Sequence, residues 1–152
     1  MSAATDQTRE ATTERATERL DRERLHRVEE MATATAPRIS QNLLSLDKEW
    51  DIERRLEANA AALGLISAVL VATHSRRWLV LSGAVSGFLL QHAIQGWCPP
   101  VEIFRRFGAR TRNEIDAERT AVKALRGDFD GVSGTVDPPA AARQALDAAG
   151  SR

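Results

Sequence analysis

Hydrophobic positions are gathered in the middle of this chain. Two apolar runs, 58–73 and 78–97, stand almost back to back, separated only by His74-Ser75-Arg76-Arg77. Neither run contains Asp, Glu, Lys or Arg, whereas charged residues crowd both flanks. At 1.5 Å per residue the runs would be about 24 and about 30 Å long as helices, against a bilayer core of about 30 Å. Neither has the charged outer face that a soluble amphipathic helix shows. The pattern predicts an all-α protein whose centre is a two-helix transmembrane hairpin, with flanking amphipathic and charged helices and flexible tails. The first run is short and is expected to gain depth through Leu56 and snorkelling arginines. A soluble helical module, buried by oligomerisation, is the competing reading.

The flanks have their own periodicity. Residues 5–32 read as a charged helix or a disordered arm, with the repeat Thr13-Glu-Arg and Thr17-Glu-Arg and a thin apolar line of Leu20, Val28 and Met31. Residues 33–41 read as a linker, because Pro37 biases Ala36 away from the helical region. Ser45 is expected to cap a helix that runs unbroken from Leu46 to Thr73. After the second run, Pro99-Pro100 suits the first turn of a helix over 101–107 ended by Gly108. Its Val101, Ile103, Phe104 and Phe107 could lie in the membrane interface. Thr111-Arg-Asn-Glu114 fits a capping box opening a helix to about Arg126, stopped by Gly127. The expected organisation is a charged arm and linker over 1–45, a membrane hairpin domain over 46–126 and a mobile tail over 127–152, with a short helix after Pro139.

Composition changes the picture little. The 152 residues carry zero formal net charge, with 28% charged residues and a mean hydropathy of −0.32, an average that hides the central runs. Outside 56–97 the sequence suggests little material for a core. The charge balance gives no nucleic-acid footprint. The start, Met1-Ser-Ala-Ala-Thr-Asp, has no basic head before an apolar run, so no cleavable signal peptide is expected. Tryptophans mark the interfaces: Trp50, with Arg54 and Arg55 reaching lipid phosphates, then Trp78 and Trp97. Basic residues on the outer flanks outnumber those of the turn, which places both termini in the cytoplasm.

Candidate packing and chemistry follow. Ala60, Gly64, Ala68 and Ala72 form a small-residue stripe on the first run. Gly83 and Gly87 form a GxxxG on the second, continued at the same spacing by Gln91 and Gln95. Such faces let membrane helices approach closely, within a hairpin or between two copies. Cys98, the single cysteine, excludes an internal disulfide. As a helix-capping residue it would have a lowered thiol pKa and raised reactivity, with His92 and Gln95 as possible helpers; packing at the end of a span is the plainer role for it. No phosphate loop or catalytic elbow is present, so no enzyme, no cofactor and no metal are expected.

With these motifs the chain resembles the YgaP-like transmembrane family of bacterial inner-membrane proteins. The matching residues are Asp51-Ile-Glu-Arg54-Arg55, Gly64, Gly96-Trp-Cys98-Pro99 and Gly108-Ala-Arg-Thr111. Pro100-Val101 replaces the aromatic that commonly follows Cys-Pro in that family. The resemblance implies a bacterial inner-membrane location and dimerisation, and a faint link to sulfur handling through Cys98. The reading that results is a small structural or accessory membrane protein. Its partners would be the lipid bilayer, a second copy and a cytoplasmic protein met through the charged arms. A sulfur-relay or redox accessory using Cys98 is the alternative.

Overall fold

The computed structural model describes residues 8–10, 12–132 and 138–150. Its main elements are helices: α1 (Glu14–Ala32), α2 (Ala36–Lys48), α3 (Ile52–Thr73), a 3-10 turn (Arg76–Trp78), α4 (Leu79–Gln95), α5 (Pro99–Arg106), α6 (Arg112–Arg126) and α7 (Pro138–Gly150). By contact density the chain divides into two units. One is Met1–Leu20 with Trp50–Asn113, and the other is Asp21–Glu49 with Glu114–Arg152.

In the first unit, α3 starts where Asp51 caps it: the carboxylate accepts the Arg54 amide at 2.8 Å. At 22 residues it is about 33 Å long. The chain then turns through Ser75, whose Oγ accepts the Arg77 amide at 3.3 Å, into the 3-10 turn and α4. Gly96 ends α4 at φ 66°, a left-handed conformation that glycine adopts without strain. α3 and α4 pack on one another on either side of this turn, and α5 packs on α3. A small core of Ile52, Leu56, Cys98, Val101 and Ala109 closes the base, with Phe104 half-buried against it. Two bonds fasten that base. The Ile52 amide donates to the Arg110 carbonyl at 2.9 Å, and Arg112 Nη1 pairs with Asp51 at 3.3 Å. Arg19 donates to the carbonyls of Arg105 and Arg106 at 3.2 and 2.9 Å. That puts a cation on the C-terminal end of α5, where the helix dipole favours it.

The second unit has a core of its own, built from Met31, Ile39, Leu43, Leu46, Ile115 and Val122. Ile39, Leu43 and Leu46 recur at i, i+4 and i+7, one stripe of a helix. Around it run charge pairs: Arg27 holds Glu118 through both carboxylate oxygens at 3.0–3.1 Å, Arg119 pairs with Asp47, and Arg126 pairs with Asp128 at 2.6 Å. Lys123 donates to the carbonyls of Ala148, at 3.4 Å, and Ala149 near the end of α7.

Three expectations need correction. The linker is shorter than 33–41: only 33–35 connect α1 to α2, because Pro37 opens α2 in its first turn, where its missing N–H costs nothing. The helix from Leu46 is not continuous: Glu49 is extended (ψ 134°), and α3 restarts after Asp51. Ser45 does not cap a helix; its Oγ donates to the Asn42 carbonyl at 2.7 Å inside α2. The flanks also supply more core than their composition suggested, since paired charges carry the remaining contacts.

Leu43 is 1% exposed. Leu43→Ala is expected to lower unfolding stability by about 2–5 kcal/mol. Leu125→Ala, at a 46%-exposed position, should change it by under about 0.5 kcal/mol. Urea unfolding of detergent-solubilised protein, followed by circular dichroism, compares them; equal effects would contradict this core.

Candidate functional site: an uncovered apolar surface and a buried thiol

The candidate functional surface lies on α3 and α4. Among the described residues, one helical stretch is long and apolar enough to cross a membrane, Ala36–Thr73, and its apolar part is α3. Leu65 and Val69 are 71% and 60% exposed. The 17-residue α4, about 26 Å long, has no buried residue, and Val80 and Ile94 are 77% and 70% exposed. Apolar area of this extent, contiguous over two helices, marks an interaction surface rather than a water-facing one. The two small-residue faces differ in placement. Ala60 and Gly64 are half-buried, next to the fully buried Ser67, whose Oγ donates to the Gly64 carbonyl at 2.9 Å. Ala68, Gly83 and Gly87 are exposed, and a Cβ added at Gly64, Gly83 or Gly87 would meet no atom within 4 Å. Gln91 is half-buried and donates to Gln95 at 3.4 Å.

At the base of this surface the charged and aromatic residues are organised. The Arg54 guanidinium lies over the Trp50 ring, 4.6 Å from its centre, a cation–π contact. Arg55 Nε donates to the Trp50 carbonyl at 2.9 Å. Trp50 and Trp78 are exposed and Trp97 half-buried. α5 presents Ile103 outward, with Phe107 just beyond its end 82% exposed.

A cavity of about 180 Å³ opens between three helices. Leu56, Asn59, Ala60 and Leu63 of α3, Val85, Phe88 and Leu89 of α4, and Pro100 and Phe104 of α5 wall it. The sequence reading did not single it out. The signal was present, since Leu56, Ala60 and Leu63 share one helix face and Val85, Phe88 and Leu89 another, but periodicity does not say which faces meet.

Cys98 is the N-cap of α5, as its place before Pro99 suggested, yet its side chain makes no capping hydrogen bond. It is fully buried among Ile52, Leu56, Val101 and Ala109. Burial pushes its thiol pKa above the ordinary value, and the Val101 amide offsets only part of that. Desolvation therefore decides the direction, and at neutral pH the group is a thiol rather than a thiolate. Among the described residues no hydrogen bond joins Cys98 to His92 or Gln95. Nor is any group of three or more His, Cys, Asp or Glu gathered for a metal ion.

Residues 51–114 match the family model described as inner membrane protein YgaP-like, transmembrane domain. The match covers the Asp51 cap, both apolar helices, Cys98-Pro99 and the chain to Glu114. With the candidate membrane helix, it supports a membrane protein of the inner membrane. No curated protein and no solved structure matches the chain.

The buried thiol sets a reactivity. At pH 7, N-ethylmaleimide is expected to modify Cys98 of the folded protein at least about tenfold more slowly than in dodecyl sulfate, and the folded-state rate should climb with pH beyond the ordinary thiol range. Intact-mass kinetics read both; equal rates in the two states would refute the burial.

Proposed function

We propose that the chain, whose residues 51–114 are a YgaP-like inner-membrane transmembrane domain, is a two-span membrane anchor that works as a structural or accessory protein and not as an enzyme. The observation that carries this is the bare apolar surface of α3 and α4, which only a hydrocarbon solvent accommodates at low cost. Both helices satisfy their backbone groups internally, the condition for spanning lipid. α3 crosses first, Ser75–Trp78 turns at the far side, and α4 returns. Lys48, Arg54 and Arg55 before the spans, and Arg105, Arg106, Arg110 and Arg112 after them, outnumber Arg76 and Arg77 at the turn. This asymmetry favours cytoplasmic termini. The second unit, with its own core and charge pairs, is then the cytoplasmic part that meets a protein partner.

Two copies associate through the outward face of α4. Gly83 and Gly87 are exposed there with open space before them, as a GxxxG face needs for close approach by another helix. The burial and raised pKa of Cys98 weigh against the sulfur-relay alternative, which needs an accessible thiolate.

In spheroplast membranes, carbonate at high pH should leave the chain in the pellet, and a membrane-impermeant maleimide should label Ser75→Cys in a Cys98→Ser background from outside the cell. Release into the supernatant would overturn the anchor, and labelling only after lysis would reverse the orientation.

The paired change Gly83→Leu and Gly87→Leu should weaken association in lipid vesicles by about tenfold or more, roughly 1.4 kcal/mol, as read by fluorescence transfer between labelled copies. Helicity should be unchanged, because a Cβ at either position meets no atom within 4 Å. Undiminished transfer would exclude this face.

A further inference from the structure

We propose that the cavity between α3, α4 and α5 holds a hydrocarbon tail of a bilayer phospholipid. The inference rests on the spanning reading above and extends it to a specific lipid site. Its rim is formed by Leu63, Phe88 and Leu89, which are 43%, 42% and 39% exposed and continuous with the uncovered apolar surface. Its inner end is formed by Leu56, 6% exposed, and the half-buried Phe104. The cavity therefore runs from the hydrocarbon-facing surface inward to the core at the base of the spans.

Its chemistry selects the occupant. Asn59 is the one polar side chain among the residues that wall it, and its amide already donates to the Arg55 carbonyl at 2.8 Å. Water held in a cavity needs two to four polar partners, and apolar cavities of about 150 Å³ stay dry and take up apolar guests. This one, at about 180 Å³, is of that size, is walled almost entirely by apolar side chains and is open on one side. A polar metabolite would find almost nothing to bond. A lipid tail needs no bonds, is present on the open side at very high local concentration, and enters without first leaving hydrocarbon. The tail would pack between Phe88 and Phe104 and bridge the spanning pair to α5, the helix that carries Ile103 and leads to Phe107 at the surface.

The test uses the full chain in phosphatidylcholine vesicles doped with a phosphatidylcholine carrying a diazirine on one acyl chain. After irradiation, mass spectrometry locates the adducts. Labelling is expected at Ile94 and Leu65, on the open lipid face, and also at the recessed Leu56 and Phe104. Ala60→Leu, which fills the cavity from its wall, should reduce labelling at Leu56 and Phe104 at least threefold and leave Ile94 unchanged. Helicity by circular dichroism confirms that the variant folds. Labelled Ile94 beside unlabelled Leu56 and Phe104, the pattern for a cavity filled by a second copy or by water, overturns the lipid site and leaves the spanning reading intact. Absence of labelling at Ile94 and Leu65 as well overturns both. Labelling at Leu56 and Phe104 that Ala60→Leu does not reduce also overturns the site, because the tail would then reach them by another route.

Discussion

The structure depends on a mismatch between its apolar middle and water. Leu65, Val69, Val80 and Ile94 are largely uncovered, and α4 has no fully buried residue. Each large apolar side chain left in water forgoes on the order of 1.5–3 kcal/mol, so this much exposed apolar surface is costly in an aqueous fold. Inside a bilayer the same side chains are solvated at no such cost, and what holds α3 to α4 becomes close packing and polar contact. The cores at the base of α3 and in the second unit are built on the opposite principle, with apolar residues expelled from water and charges paired around them.

The junction between the two solvents concentrates the specific chemistry. Asp51 caps α3 and takes Arg112, the Ile52 amide reaches the Arg110 carbonyl, and Arg54 covers Trp50. Each bond sits within a few residues of the point where polarity changes. They fix where α3 begins and so how much of it is offered to lipid. The matched family segment begins at residue 51, at that same cap.

Much of this was legible in the residues. The apolar runs, the Gly108 and Gly127 stops and the helix ending at Arg126 follow from local rules of composition and capping. What was not legible depends on neighbours distant in sequence. Pro37 suits a helix start as well as a stop, and only the packing of Ile39, Leu43 and Leu46 decides between them. The break at Glu49 has no proline or glycine to announce it. For Cys98 the local rule favoured a reactive thiolate, but the side chain is enclosed by Ile52 and Ala109, and desolvation reversed the sign. Met31, in the thin apolar line with Leu20 and Val28, gave no sign of burial because its core partners Ile115 and Val122 lie some ninety residues away. Gly64, Gly83 and Gly87 looked equivalent as small residues, yet Gly64 is half-buried and the other two are exposed.

The short turn at Ser75 constrains how the protein reaches its membrane. Arg76 and Arg77 ride at the leading tip, so in the proposed orientation both must be carried through the lipid before either helix is seated. Translocon scales put each such crossing at about 2.5–3.5 kcal/mol at mid-bilayer, and a cell interior held negative resists the outward transfer of each positive charge by about 2.3 kcal/mol per 100 mV. Neither helix can complete its journey alone, because four residues are too few to park the pair between them on one side. In that orientation biogenesis would be a concerted act, with the greasy surface of both helices drawing the guanidinium groups across as cargo.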